Sequence, residues 1–182
     1  ELNISGQSIA SIDLSKNVDL ENLDASGNGI SNIDVSNNTK LQELNLYNNK
    51  ISSIDVSKLT GLKGLSLNNN PISNLNLLNN KELKILHLNY ANLVGIDLSN
   101  NSKVTEVLLN GNSITSIDLS KNTELETLSV SANKLTDLNL SGLAKLKKLY
   151  ASSNQIQKLS LSEQKNLVEI NAIFNGFDGY DI

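Results

Sequence analysis

A pattern of apolar residues recurs along this chain every twenty-one residues, nine times and without an insertion. In the unit that begins at Leu41 it reads L-x-x-L-x-L-x-x-N-x-I-x-x-I-D-V-S, followed by four looser positions. A fixed period of this length is typical of a solenoid, in which each unit buries its apolar side against its neighbours. We therefore expect one elongated domain, residues 1–182, with units 1–19, 20–40, 41–61, 62–82, 83–103, 104–124, 125–145, 146–166 and 167–182, the last carrying a partial C-terminal cap.

Each unit contains one short segment in which apolar and polar residues alternate, as Leu44 and Leu46 do with Glu43 and Asn45. Alternation with a period of two predicts a strand with one buried face. Stacking the units places these strands in parallel, about 4.8 Å apart. The return half of the unit, such as residues 52–57, is too short for a multi-turn helix and should be extended, short β or turn structure. The sequence thus predicts a gently curved right-handed coil with a parallel β-sheet on its concave face.

An asparagine recurs where the chain must turn out of each strand. A buried amide side chain there can satisfy backbone donors and acceptors that lack ladder partners, each of which would cost about 1–3 kcal/mol if left unpaired. We expect this asparagine column to be structural, with Gln7 standing in for it in the first unit and Ala91 interrupting it in the fifth. Its members are Asn28, Asn49, Asn70, Asn112, Asn133, Asn154 and Asn175.

These columns together resemble the leucine-rich repeat signature, over essentially the whole chain. The continuation I-D-L-S-x-N, as at residues 12–17 and 117–122, resembles bacterial cell-surface repeats of the internalin J type. That type carries cysteine at the second strand leucine, where this chain has only aliphatic residues. The resemblance implies a non-catalytic module, extracellular or on a bacterial cell surface, that binds a protein or glycan through its concave face in adhesion or host interaction. The column that replaces the cysteines holds Ala25, Leu46, Leu67, Leu88, Leu109, Val130, Ala151 and Ala172.

Composition excludes several other classes of function. The net charge of −4, the dispersed lysines and the scarcity of aromatic residues argue against a nucleic-acid partner, which needs a clustered basic face. No apolar run approaches the roughly 18 residues needed to insert into a membrane. Absence of cysteine excludes disulfides and thiolate chemistry. Absence of methionine, even at position 1, indicates a fragment or a processed form of a longer polypeptide.

Few residues suggest catalysis or metal binding. The single histidine, His87, would have to serve any Ser-His-Asp triad, and nothing in the sequence marks an activated serine beside it. We therefore expect no catalytic residues, no cofactor and no metal site. An aspartate column could bind calcium, but one carboxylate per coil favours capping of the D-x-S turn instead. That column comprises Asp13, Asp34, Asp55, Asp97 and Asp118, with Asn76 and Asn139 as replacements, while Asp178 and Asp181 in the tail fit ordinary turn chemistry.

The outward strand positions are the ones that the scaffold does not dictate, and most of them are small or polar. Ile85, His87 and Leu108 are exceptions on adjacent predicted strands, and clustered apolar anchors of this kind resemble interface hot spots. Surface hydrophobic residues are also common without a function, so drift of one irregular coil is the competing interpretation. The predicted partner-binding residues are Ile85, His87, Tyr90, Leu108, Tyr47 and Tyr150.

Two other functions remain open on the sequence: a structural spacer, and an accessory targeting domain of a larger secreted enzyme. The ends of the solenoid raise a separate expectation, because an open sheet edge tends to pair with another chain. We expect the last aromatic and aliphatic residues to fold over the core as a partial cap, and end-to-end self-association to occur where termini are uncapped. Those residues are Phe174, Phe177, Tyr180 and Ile182.

Overall fold

The computed structural model describes residues 1–178, and each repeat unit forms one coil of a solenoid. Every coil supplies one short strand, and each strand pairs in parallel with the next one along the chain. The predicted solenoid with a parallel sheet on its concave face is thus confirmed. The nine strands are β1 (Leu2–Asn3), β2 (Asn22–Asp24), β3 (Glu43–Asn45), β4 (Gly64–Ser66), β5 (Ile85–His87), β6 (Glu106–Leu108), β7 (Thr127–Ser129), β8 (Lys148–Tyr150) and β9 (Glu169–Asn171).

The register of the sheet repeats the sequence period. Leu44 pairs with Leu65, and Leu65 pairs with Leu86, each a full twenty-one residues further on. The central residue of each strand therefore points inward in a continuous stack, and its two flanking residues point outward. The core that results is almost purely aliphatic and runs as one cluster along the coils.

The chain leaves each strand through a left-handed residue that directly precedes the asparagine column. These residues have φ between 53° and 67° in all nine coils. L-residues with a side chain adopt this conformation at a cost of about 1–2 kcal/mol, whereas glycine and asparagine tolerate it well. Four of the nine positions are neither glycine nor asparagine. The column comprises Gly6, Gly27, Asn48, Asn69, Tyr90, Gly111, Ala132, Ser153 and Phe174.

The asparagine column joins consecutive coils, as the sequence predicts. The buried Asn70 donates through Nδ2 to the carbonyl of Leu46 at 2.8 Å, and its Oδ1 accepts from the amide of Ile51 at 3.0 Å. Both partners lie in the preceding coil. One side chain thus provides hydrogen-bond partners for two backbone groups that the short strands leave unpaired. This pairing explains why asparagine recurs at the position.

Where the column lacks asparagine, the backbone compensates. The amide of Ala91 donates to Oδ1 of Asn112 in the next coil, at 3.1 Å. The amide of Gln7 donates to Oδ1 of Asn28 in the same way, at 3.0 Å. In both coils the following residue also turns left-handed, Ser8 at φ 57° and Asn92 at φ 61°. A coil that lacks the column asparagine therefore contains a second left-handed residue.

The return half of each coil consists of turns rather than strands in the described residues. Two β-turns follow one another. In the first, the amide of Leu59 donates to the carbonyl of Val56 at 3.0 Å, and in the second the amide of Leu62 donates to the carbonyl of Leu59 at 3.1 Å. The aspartate column caps the segment before them: Oδ1 of Asp55 accepts from the amide of Ser57 at 2.8 Å. Asn76 accepts from the amide of Leu78 with the same geometry, which confirms the turn-capping role.

A second asparagine column, which the sequence analysis did not identify, lies under these turns. Nδ2 of Asn101 donates to the carbonyls of Leu77 and Asn80 in the preceding coil, at 3.1 and 2.8 Å. These side chains are fully buried, so they tie the convex turns together as the first column ties the strand ends. The column comprises Asn38, Asn80, Asn101 and Asn122, and it ends at Gln164 in the penultimate repeat unit.

The C-terminal end differs in part from the expected cap. Phe177 packs against the core, as a capping residue should. Phe174 is 77% exposed and occupies the left-handed position, so the expectation that it folds over the end of the core is wrong. Tyr180, Asp181 and Ile182 lie outside the described residues.

Candidate protein-binding face

The sheet brings three of the predicted site residues together. His87 of β5 pairs with Leu108 of β6, and Ile85 lies on the same outward face of β5, two residues before His87. Ile85 is 39% exposed, while His87 and Leu108 are half-buried. These three residues, called the concave patch below, place two aliphatic side chains and one imidazole within a mostly polar ribbon.

A close pair of side chains borders this patch. Nε2 of His87 lies 2.6 Å from Oε1 of Glu106, which neighbours Ile85 across the strands. Ser66 is in register with His87 on the other side, yet within residues 1–178 no hydrogen bond joins them. In a Ser-His-acid triad the acid holds Nδ1 and leaves Nε2 for the nucleophile. Here the carboxylate occupies Nε2, so the three residues do not have triad geometry.

A shallow depression of about 170 Å³ adjoins the patch on β3 to β5. Its floor lies at Gly64, which has no side chain where the neighbouring strands carry Glu43 and Ile85. The Glu43 carboxylate lies across Gly64 and occupies the space that a Cβ would fill. Ile85 and His87 form the opposite wall. The sequence analysis did not identify this depression.

The three tyrosines lie apart from the patch and from one another. The ring of Tyr90 covers Gly111, just past the strand ends, and is 62% exposed. Tyr47 is exposed beyond the end of β3, two strands before the patch. Tyr150 shares the outward column of Leu108 but is separated from it by Ser129. A hydrogen bond with the Glu169 carboxylate raises the pKa of Tyr150.

A polar ladder borders the concave face immediately after the strands. Oδ1 of Asn68 accepts from the amide of Asn89 at 2.6 Å, and Oδ1 of Asn89 accepts from that of Asn110 at 2.7 Å. Ser131 and Ser152 continue it. Each member fixes the backbone of the next coil, so the rim beside the patch is held by side chains as well as by the sheet.

No group of three or more His, Cys, Asp or Glu among residues 1–178 is arranged to hold a metal ion. Within the same range, no helix has the length and hydrophobicity that crossing a bilayer requires.

Comparisons with known proteins agree with this architecture. The family model described as leucine-rich repeats (2 copies) matches residues 18–59. A comparison with curated proteins gives no significant match. Among solved structures, the functional domain of InlJ from Listeria monocytogenes superposes with a TM-score of 0.93 at 33% identity, over 99% of this chain and 40% of that one. That domain is described as including a cysteine ladder, whereas this chain has no cysteine.

Two further structures show the same likeness. Internalin C2 from Listeria monocytogenes matches with a TM-score of 0.83 at 27% identity, over 91% of this chain and 76% of its own. The leucine-rich repeat protein LIC12759 of Leptospira interrogans, with a TM-score of 0.80 at 24% identity, covers 86% of this chain and 43% of its own, and supports the fold alone. The chain therefore spans less than half of two of these relatives. With its period, its asparagine column and its nine-stranded parallel sheet, the chain is an internalin-like leucine-rich repeat protein.

Proposed function

We propose that this chain is a non-catalytic recognition module, acting at or outside a bacterial cell surface, that binds a protein partner through its concave strand face. The supporting observation is the concave patch, since Ile85, His87 and Leu108 meet on two neighbouring strands of an otherwise polar face. Leucine-rich repeat solenoids present their sheet as an extended surface of this kind. Adhesion or host interaction is the setting that the likeness to Listeria internalins favours.

The patch has the physical character of an interface anchor. An aliphatic side chain held on a strand loses little conformational freedom on binding, so its burial contributes most of its transfer free energy to affinity. Polar residues around it exclude water from the contact, as in known hot spots. Tyr47, Tyr90 and Tyr150 are proposed as outlying contacts of the same partner, since they flank the patch on several sides.

The test is affinity capture from membrane extracts of cultured epithelial cells, followed by interferometry with each captured protein. A variant with Ile85→Ser, His87→Ser and Leu108→Ser is compared with a control in which Leu78→Ser and Val94→Ser remove two exposed apolar residues outside the sheet. We expect the concave variant to bind at least tenfold more weakly and the control to bind like the unaltered chain. Equal binding by the two variants would remove the basis for the proposal.

A spacer function is the second candidate, favoured by the polar character of the outward positions away from the patch. A spacer only sets a distance, so deletion of one complete coil, residues 125–145, should leave its function intact. A recognition face that includes Tyr150 should lose affinity on the same deletion, because Tyr150 then moves one strand closer to Leu108. Capture by the deletion variant therefore separates the two functions.

A further inference from the structure

We infer that the protein partner is basic where it meets this face, and that one of its Lys or Arg side chains docks in the depression over Gly64. The stem of that side chain packs against Ile85, and its charged group meets the carboxylate of Glu43. This docking mode rests on the proposed function and adds to it the chemistry of the partner.

The first argument is the shape of the depression. Gly64 and Ser66 form a low strip on β4, between β3 and β5; the Glu43 carboxylate lies over Gly64, and Ile85 and His87 line the far side. The strip is about one side chain wide, since strands lie about 4.8 Å apart. An unbranched chain of methylene groups fits such a strip, and Lys and Arg cover apolar surface with their stems in this manner.

The second argument is the distribution of charge. The outward residues of the strands carry four carboxylates and one lysine, which amounts to a net charge of −3. The whole chain has 19 acidic and 15 basic residues, so the rest of the molecule carries fifteen acidic and fourteen basic residues and is close to neutral. Most of the net charge is thus on the proposed binding face. The five residues are Asp24, Glu43, Glu106, Lys148 and Glu169.

The third argument is the state of the Glu43 carboxylate itself. Two carboxylates in the turns before the strands are paired with lysines of the next coil: Glu82 with Lys103 at 2.6 Å and Glu124 with Lys145 at 2.6 Å. Within residues 1–178 Glu43 has no such ion pair and no side-chain hydrogen bond, and its carboxylate lies over Gly64 at the floor of the depression. Pairing with a cationic side chain of the partner would compensate the Glu43 charge, which no lysine of a neighbouring coil does.

These arguments favour a cationic side chain over other occupants. An acidic partner would meet the net negative charge of the face, which costs affinity. A metal ion would need several converging oxygen ligands, and Glu43 is the one carboxylate that lines the depression. A purely apolar side chain would leave the Glu43 carboxylate desolvated and unpaired.

The experiment is an NMR titration of the isotopically labelled chain with tetralysine, and with tetraglutamate as the control peptide. Glu43→Gln removes the charge and keeps the shape, Gly64→Ala displaces the Glu43 carboxylate from its place over β4, and Asp137→Asn makes the same charge change on the convex side. Backbone amide spectra establish that each variant is folded. We expect tetralysine to shift the amides of Gly64 and Ile85 most, and both concave variants to weaken its binding at least fivefold, with less than a twofold effect of Asp137→Asn.

Equal weakening by Glu43→Gln and Asp137→Asn, or shifts spread over the convex aspartates, would overturn the docking mode in favour of diffuse attraction. Unchanged tetralysine binding by the Glu43→Gln variant would overturn it as well, even where the concave-patch variant loses its captured protein. Conversely, capture that is unaffected by the patch variant contradicts the proposed function while the tetralysine result still stands. The two proposals therefore fail separately.

Discussion

The ring of Tyr90 lies directly over the backbone of Gly111 in the next coil, so that a Cβ on Gly111 would collide with ring carbons. Both residues occupy the left-handed column, at φ 54° and 67°. The aromatic residue thus occupies the strained position in one coil, and the adjacent coil supplies the one residue that leaves room for it.

Gly111→Ala should therefore destabilise the protein by more than the left-handed conformation alone requires. That conformation costs about 1–2 kcal/mol for alanine, and displacement of the tyrosine ring adds to it. We expect the loss to shrink in a Tyr90→Asn background, where the ring is absent. Urea unfolding of the two single variants and the double variant measures the coupling. Strictly additive effects would show that the ring moves away at no cost.

Ala132→Gly should stabilise the protein, because Ala132 is exposed at φ 53° and glycine adopts this conformation freely. We expect a gain of about 1 kcal/mol in the free energy of unfolding, reduced somewhat by the greater freedom of glycine in the unfolded chain. Ala144→Gly is the matched control, since Ala144 is exposed but is not left-handed. It should destabilise slightly. The same direction of change in both variants would contradict the strain argument.

Asn133→Ala should cost about 3 kcal/mol. It removes hydrogen bonds to the carbonyls of Leu109 and Val130 and leaves the amide of Ile114 without its acceptor. Asn68→Ala, at the half-buried rim, removes only the acceptor of the Asn89 amide and should cost about 1 kcal/mol. Chemical denaturation with hydrogen exchange at Ile114 measures both. A small loss for Asn133→Ala would indicate that this coil adopts a second left-handed residue, as the coil of Ala91 does at Asn92.

Acid should weaken the convex turns. Hydrogen bonds from the amide and hydroxyl of Ser36 lower the pKa of Asp34 from 3.8, and those from Ser99 lower that of Asp97. A carboxylate whose pKa is lower in the folded state stabilises that state above the unfolded pKa. This contribution is lost as the pH falls through the folded value, that is, below 3.8.

Asparagine makes the same turn without a titrating group, as Asn76 and Asn139 do. We therefore expect a variant with Asp34→Asn and Asp97→Asn to lose less stability between pH 5 and pH 2 than the unaltered chain. Thermal unfolding across this range provides the comparison. An equal loss of stability in both proteins between pH 5 and pH 2 would show that the acid sensitivity comes from groups other than Asp34 and Asp97.

The period of the sequence predicts the scaffold because it specifies which columns face inward. The strand centres such as Leu65, the capping role of Asp55 and the amide bridge of Asn70 all follow from that column assignment and from the need to pair backbone groups. Neighbouring outward residues such as His87 and Leu108 follow as well, since in-register stacking makes them adjacent.

The conformations of surface side chains cannot be predicted from the sequence period. The depression depends on where the flexible Glu43 side chain lies relative to Gly64, and the pairing of His87 with Glu106 is a diagonal contact between columns. Asn101 was missed for another reason: its column is interrupted by Leu59 and Leu143, so its amide bridge is not visible as an unbroken repeat. Such features depend on side-chain rotamers and on single substitutions within a column. The repeat of apolar residues carries no information about either.

The strictly sequential pairing of the strands has a mechanical consequence. Among residues 1–178, each strand pairs only with the strands of the coils before and after it, and none joins distant parts of the sheet. Tension applied to the two termini would therefore detach terminal coils in succession, and each release would free twenty-one residues of slack, about 70 Å of extended chain. A molecule built this way yields gradually under load and re-forms from whichever coils are still in place.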